Sequence, residues 1–142
     1  MSLEEIESDV WSEPTFESQL VKTCHKLRKK PLELFTIEDL RIMIGQQISL
    51  RILLPLALEQ LEIDPLAEGD FYPGDLLAAV LRTEDVFWSN HPDDCERLCR
   101  VLRGLRDSPD GSDETDRQTV RDLLQDAAQH KCLRGKAHFP EL

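Results

Sequence analysis

The sequence lacks the long apolar runs and the targeting signals of membrane and secreted proteins. Its longest apolar block, residues 52–58, has only seven residues and contains Pro55, whereas a membrane-spanning helix needs about 20 apolar residues. The first residues are acidic and show neither the basic segment nor the apolar segment of a secretory signal peptide. We therefore expect a soluble, cytoplasmic protein that does not bind membranes.

Positive charge is scarce as well. The chain has 17 Lys and Arg against 28 Asp and Glu, which gives a formal net charge of −11 and a pI near 4.7. A protein whose affinity for nucleic acid depends on neutralising phosphates needs the opposite balance. Direct nucleic-acid binding is therefore not expected, and the acidity instead suits a soluble protein or one that meets a basic partner.

Motifs of enzymes and metal sites are missing too. The four cysteines form no C-x2-C pair, and no P-loop, G-x-G-x-x-G or G-x-S-x-G sequence occurs. Cys95 and Cys99 share an apolar helical face with Leu98 and Leu102, which favours core packing of reduced thiols over a metal site. We predict no catalytic residue, no metal and no cofactor.

What the sequence does contain is helical periodicity along nearly its whole length. No stretch alternates with a period of two, as a half-buried strand would. The clearest apolar stripe has helical spacing and comprises Leu50, Leu53, Leu54, Ala57, Leu58 and Leu61. This pattern predicts an all-α fold of seven or eight helices in a single domain over residues 1–142.

Local signals divide the chain into these helices. Four residues are predicted to start helices: Ser2 (paired with Glu5), Thr36 (paired with Asp39), Thr83 and Pro92. Gly45 and Gly104 are predicted to end helices. Pro55 is expected either to kink the central helix or to lie in its first turn. Residues 107–116 are expected to form an acidic, mobile linker before the last helix.

One basic cluster differs from the acidic remainder of the chain. It comprises Lys22, His25, Lys26, Arg28, Lys29 and Lys30. The cluster has no interleaved aromatic residues, as a nucleic-acid patch would. We interpret it as complementing the C-terminal dipole of a helix over about residues 16–29 and as pairing with neighbouring acids.

The most distinctive segment is EGDFYPGD, residues 68–75, which we call the 68–75 loop. Its two glycines suggest positive φ angles. In the favoured structural interpretation Phe71 and Tyr72 enter the core and Asp75 caps the next helix. In the functional interpretation, which stays open, the loop is a rigid acidic recognition surface with Tyr72 as its anchor.

Four stretches together resemble a known family: PTF at 14–16, PLELFTIEDLRIMIGQ at 31–46, LPLALE at 54–59 and EGDFYPGDLL at 68–77. The sequence resembles the immunity proteins of bacterial contact-dependent growth inhibition (CDI) systems, in the group that accompanies a ribonuclease-type toxin. The resemblance covers about residues 1–90, and the chain beyond residue 104 lies outside it.

The resemblance implies a cytoplasmic antitoxin that does no chemistry itself, and we expect a monomer rather than a homo-oligomer. Such a protein binds the C-terminal toxin domain delivered by a neighbouring cell and occludes its active site. An acidic inhibitor suits this role because a ribonuclease must attract phosphate, so its cleft is basic and steers the inhibitor inward. Immunity proteins generally recognise one cognate toxin, so specificity should lie in segments that vary between relatives. The family motif at residues 68–75 is therefore in part a signature of the fold.

Partner-binding candidates are acidic or aromatic. They are Glu68, Asp70, Tyr72 and Asp75 in the 68–75 loop, Glu59 and Glu62 on the outer side of the central helix, and Asp113, Glu114 and Asp116 in the acidic segment. Two alternatives from other classes are a small cytosolic helical adaptor and an enzyme that uses a cysteine or a carboxylate.

Overall fold

Residues 1–10, 19–107 and 114–130 are described by a computed structural model of the chain. These residues form eight α-helices, with a single 3-10 turn (Leu32–Leu34) and no strand. The helices are α1 (Leu3–Glu7), α2 (Gln19–Lys29), α3 (Ile37–Gly45), α4 (Leu50–Ile63), α5 (Asp75–Leu81), α6 (Asp85–Asn90), α7 (Pro92–Asp107) and α8 (Glu114–Ala128). The all-α prediction is confirmed. Within the described ranges, no helix is both long and apolar enough to span a membrane.

The predicted capping box at Ser2 forms, and the predicted N-cap Thr36 also forms a capping box. The Ser2 hydroxyl accepts a hydrogen bond from the Glu5 amide, and the Glu5 carboxylate accepts one from the Ser2 amide at 3.1 Å. Thr36 and Asp39 exchange the equivalent pair of bonds at 3.1 and 3.0 Å. These bonds satisfy amides that the first turn of a helix leaves without a partner, so the starts of α1 and α3 follow from local sequence.

Two other boundary predictions are wrong. Thr83 does not cap α6, because it is fully buried and its amide donates to the Val80 carbonyl at the end of α5. Gly104 does not end α7, which continues to Asp107. The next residue, Leu105, is buried in the core, and that burial outweighs the cost of about 1 kcal/mol for a glycine inside a helix.

The predicted linker at residues 107–116 is partly helical. Asp107 is the last residue of α7, and α8 already begins at Glu114. Residues 108–113, and with them Asp113, lie outside the described part of the chain, as do residues 16–18 of the helix predicted to start near residue 16.

Helix α4 lies at the centre of the core, where it packs against α3, α5 and α7. Every member of its predicted stripe after Leu50 is fully buried. Pro55 lies inside the helix, which continues through it. Proline removes one backbone hydrogen bond and crowds the preceding turn, so burial of the stripe on both sides of Pro55 stabilises the continuous helix.

Helix α5 is buried along its whole length, from Asp75 to Leu81. It packs against α3, α4 and α8, which leaves no solvent-facing side. Helix α8 closes this side of the core, and the Nδ1 atom of His130 beyond its end lies 2.6 Å from a carboxylate oxygen of Asp85. Because α5 directly follows the 68–75 loop, the loop is attached to the most buried helix of the described chain.

Candidate partner-binding site

The 68–75 loop closes on itself between α4 and α5. Glu68 and Pro73 form an isolated antiparallel bridge. The Gly74 amide donates to the Leu66 carbonyl at 3.1 Å, and the Asp75 amide donates to the Tyr72 carbonyl at 3.0 Å. These bonds make the segment a compact turn whose tip is formed by residues 69–72.

Two carboxylates from neighbouring helices hold this tip. Asp75, which is only 3% exposed, accepts hydrogen bonds from the Gly69 amide at 2.6 Å and from the Phe71 amide at 3.1 Å. Glu38 on α3 accepts a bond from the Asp70 amide at 3.0 Å. Three successive backbone amides are thus satisfied by carboxylates, and bonds to charged acceptors are about twice as strong as neutral ones.

Arg41, one turn after Glu38 on α3, supplies the balancing positive charge. Its Nε and Nη2 atoms donate to the two Glu38 oxygens at 2.6 and 2.5 Å, and Nε lies 3.9 Å from an Asp75 oxygen. These bonds from Arg41 outweigh partial burial and hold the pKa of Glu38 below its ordinary value. We call Glu38, Arg41 and Asp75 the loop-holding cluster.

The two glycines of the loop are required for different reasons. A Cβ on Gly69 would lie 2.5 Å from Glu38 Oε1 and 3.0 Å from Asp75 Oδ2, so any other residue would force the Glu38 carboxylate to move. Gly74 has a φ of +95°, which favours glycine. The positive φ expected at both glycines is therefore found at Gly74, whereas Gly69 is needed for close approach.

The structural interpretation of the loop is wrong in its details. Phe71 and Tyr72 do not enter the core, since they are 69% and 43% exposed. Asp75 does not cap α5, whose N-cap residue is Gly74. The physical reason is that the loop amides point inward to Glu38 and Asp75, while the core beneath the loop is already filled by α5.

The candidate residues therefore separate into exposed and internal groups. Glu68, Asp70 and Tyr72 are exposed together on the 68–75 loop. The expectation that Asp75 faces a partner is wrong, because its carboxylate is buried and holds the loop amides.

Glu59 and Glu62 are both exposed on α4, but their charges are not equally available. An oxygen of Glu62 lies 2.5 Å from Nη2 of Arg97 on α7, so its charge is partly neutralised. Glu114 and Asp116 lie in the first turn of α8, while their side chains, like Asp113 as a whole, lie outside what the structure describes.

Sequence reasoning missed Glu38, Arg41 and Phe71 as parts of this site. An acid and a base three residues apart on one helix are a sign of an ion pair. Nothing in that spacing indicates that the pair also holds a loop some 30 residues later in the chain. The aromatic character of Phe71 predicts a core position, whereas the structure leaves the ring 69% exposed and bonds its amide to Asp75.

Two residues of the basic cluster pair with neighbouring acids. Lys26, Arg28 and Lys29 lie in the last turn of α2, as the helix-dipole interpretation expects. Lys30 pairs with Asp39 at 2.6 Å. Arg28 is 2% exposed, and its guanidinium donates to the Glu7 carboxylate and the Asp9 carbonyl, both at 2.6 Å. Arg28 thus stabilises the contact between α1 and α2, and Lys30 connects the end of α2 to α3.

The thiols within the described ranges are inaccessible. Cys24, Cys95 and Cys99 are all buried, and those ranges contain no group of ligands that could hold a metal. Burial, together with the neighbouring Cys95, raises the pKa of Cys99 to about 12. Burial also raises the pKa of Cys24. Reactive cysteines have lowered pKa values and partial exposure, so these three have the properties of core residues.

We expect Cys24, Cys95 and Cys99 to resist alkylation in the native protein. With iodoacetamide near pH 8, peptide mass spectrometry should find these thiols unmodified in the native state and fully modified in denaturant. A Cys132→Ala variant removes the fourth cysteine and leaves only the described ones to be tested. Rapid native labelling of any of the three would contradict their burial.

Comparison with known families shows which family this chain is similar to. The family model described as CDI immunity proteins matches residues 5–98. That range contains the 68–75 loop together with all three residues of the loop-holding cluster. None of the curated proteins matches the chain.

Proposed function

The chain belongs to the family of CDI immunity proteins, and we propose that it neutralises its cognate toxin by covering a basic active site with the 68–75 loop. Immunity proteins of this kind are antitoxins and not enzymes. Family membership therefore sets aside the enzyme and the general adaptor that the sequence alone left open. The target would be a ribonuclease-type toxin domain, and the encounter would take place in the cytoplasm with the immunity protein as a monomer.

The observation that carries this proposal is a rigid, acidic and aromatic loop within the matched range. A nuclease needs positive charge in its cleft to bind phosphates. An acidic inhibitor is attracted into such a cleft, which speeds association. Asp70 presents that charge from a tip whose amides are already bonded, and Glu68 adds to it from the position just before the tip. Little ordering is therefore needed on binding.

The other candidates fit a supporting role at the edge of the interface. Glu59 adds exposed charge on α4, while Glu62 remains partly neutralised by Arg97. Charges at the rim of an interface change association rates more than they change dissociation rates. Asp113, Glu114 and Asp116 are proposed as a weaker set that adds to the same long-range attraction.

The direct test is inhibition of the toxin domain encoded beside this gene. We expect the two proteins to co-purify as a complex and the toxin domain to cleave RNA only when this protein is absent. A toxin domain that has no nuclease activity, yet is neutralised, would contradict the nuclease part of the proposal. Failure to bind or protect would contradict the proposal as a whole.

Charge reversal tests whether the 68–75 loop is the contact. The double variant Glu68→Lys/Asp70→Lys should slow association about tenfold or more at low salt, and less at high salt, because screening weakens steering. Asp122→Lys/Asp126→Lys, at exposed positions of α8, changes the net charge equally. Stopped-flow association rates that fall equally in both variants would show that the effect comes from net charge and not from the loop.

A further inference from the structure

Phe71 is the most exposed large apolar side chain on the 68–75 loop, at 69%. We propose that this ring, held from behind by Arg41, is the apolar anchor through which the chain grips the toxin domain. This inference rests on the proposed function and adds a residue that charge-based reasoning did not select. In this arrangement Phe71 provides affinity, while Glu68 and Asp70 raise the association rate.

The backbone beneath Phe71 is held by hydrogen bonds to two carboxylates. The Phe71 amide itself donates to Asp75, and the amides of the two residues before it donate to Asp75 and Glu38. Both carboxylates come from helices that pack against each other, α5 and α3. A side chain held in place before binding loses little conformational entropy on association, so more of its contact energy appears as affinity.

Arg41 restrains the ring itself. The guanidinium carbon of Arg41 lies 4.4 Å from the centroid of Phe71, within range of a cation–π interaction. The Arg41 side chain is itself 19% exposed and is bonded to Glu38 at the same time. One face of the Phe71 ring is therefore covered by a fixed cation, while most of its apolar area remains in water and is available to a partner.

The surroundings of the ring indicate the chemistry of that partner. Glu68 and Asp70 are exposed on the same loop and add negative charge next to Phe71 and Tyr72 in the chain. Affinity in protein interfaces concentrates in a central aromatic or arginine anchor that fills a pocket, surrounded by a polar rim that excludes water. The matching surface is an apolar depression bordered by basic residues.

A second copy of this chain fits the surface poorly. Self-association through Phe71 would bring two sets of Glu68 and Asp70 together in a protein of net charge −11. Like charges opposed at an interface are unfavourable. Charge complementarity therefore favours a basic protein, which is the character proposed for the toxin domain.

The test is Phe71→Ala, with binding measured by surface plasmon resonance or calorimetry against the toxin domain encoded beside the gene. We expect the dissociation constant to rise about 30-fold or more, mainly through faster dissociation. The matched control is Val86→Ala on α6, since Val86 is 67% exposed. It should change the dissociation constant by about twofold or less. Both variants should melt within about 2 °C of the parent because each removes a mostly exposed side chain.

Salt separates the anchor from the steering charges. The loss of toxin affinity caused by Phe71→Ala should persist at high salt. The loss of affinity caused by Glu68→Lys/Asp70→Lys should become smaller, because salt screens charges. Parent-like affinity of Phe71→Ala would overturn the anchor while leaving the proposed function standing. A parent protein that does not bind the toxin domain would overturn both. A homodimer in gel filtration that Phe71→Ala dissolves would also overturn the anchor, because the ring would then serve self-association.

Discussion

Replacing Asp75 with alanine should lower the free energy of unfolding by about 2–4 kcal/mol. The reason is that the Asp75 carboxylate is 3% exposed and accepts hydrogen bonds from the Gly69 and Phe71 amides. Alanine would leave both amides without their charged acceptor, and would leave Arg41 with one carboxylate fewer nearby. For a chain of this length the loss corresponds to a melting temperature lower by roughly 6–12 °C.

Two further substitutions make this prediction specific. Asp75→Asn keeps one acceptor oxygen but offers an NH2 group to an amide donor, so it should cost about half as much as Asp75→Ala. Asp70→Ala removes the same side chain from an exposed position of the same loop and should change stability by no more than about 0.5 kcal/mol. Equal denaturation midpoints for Asp75→Ala and Asp70→Ala would contradict the internal role of Asp75.

The same geometry governs how binding data on Asp75 should be interpreted. A variant at Asp75 is expected to weaken toxin binding because the loop that carries Phe71 and Tyr72 loses its support. Weaker toxin binding by an Asp75 variant would be accompanied by a lower melting temperature. Weaker binding by an Asp70 variant would not. Measuring melting temperature beside affinity therefore separates the two aspartates, which net charge treats as equivalent.

Replacing Arg28 with alanine should cost a similar amount, about 2–4 kcal/mol. Its guanidinium is 2% exposed and binds the Glu7 carboxylate, the Asp9 carbonyl and the Ser49 hydroxyl. It thereby connects α1 and α2 with the start of α4. Removing one member of a buried ion pair commonly costs about 3–5 kcal/mol. We place Arg28→Ala about 1 kcal/mol below that range because Glu7 is still 27% exposed to water.

The contribution of Arg28 to the free energy of unfolding should also depend on pH. Partial burial of Glu7 acts to raise the pKa of its carboxyl, but hydrogen bonds from Arg28 and Ser49 outweigh this and hold the pKa below its ordinary value of 4.5. The folded state therefore favours the ionised form. This stabilisation is fully present above the ordinary pKa and is lost as pH falls through the lowered one. Urea denaturation of the parent protein at about pH 6 and pH 3 should show this loss as a lower free energy of unfolding at pH 3.

The control for Arg28 is a methionine of comparable length. Arg28→Met fills much of the same space without a buried charge, so it should be more stable than Arg28→Ala. It should also lose less stability on acidification than the parent, because Glu7 then has no guanidinium to favour its ionised form. Identical acid sensitivity of the parent and Arg28→Met would contradict the assigned pair.

Much of the fold could be predicted because its signals are local. A capping box such as Thr36 with Asp39 involves residues three apart, and the stripe on α4 repeats within a few turns. The candidate site could be predicted only in part. The glycines and acids of the 68–75 loop single it out, and Asp70 and Tyr72 are exposed as the functional interpretation requires. The expectations that Phe71 enters the core and that Asp75 faces a partner are wrong.

The sequence by itself determined the helical class, most helix starts, the net charge and the family of this protein, because each depends on residue types or on short spacings. The tertiary structure alone decided which acids face solvent. Asp70 and Asp75 have the same chemistry and lie five residues apart, yet one is exposed and the other is buried beneath the loop. The difference arises because α3 brings Glu38 and Arg41 to the loop, and the compensating charge of Arg41 allows a carboxylate to remain buried there.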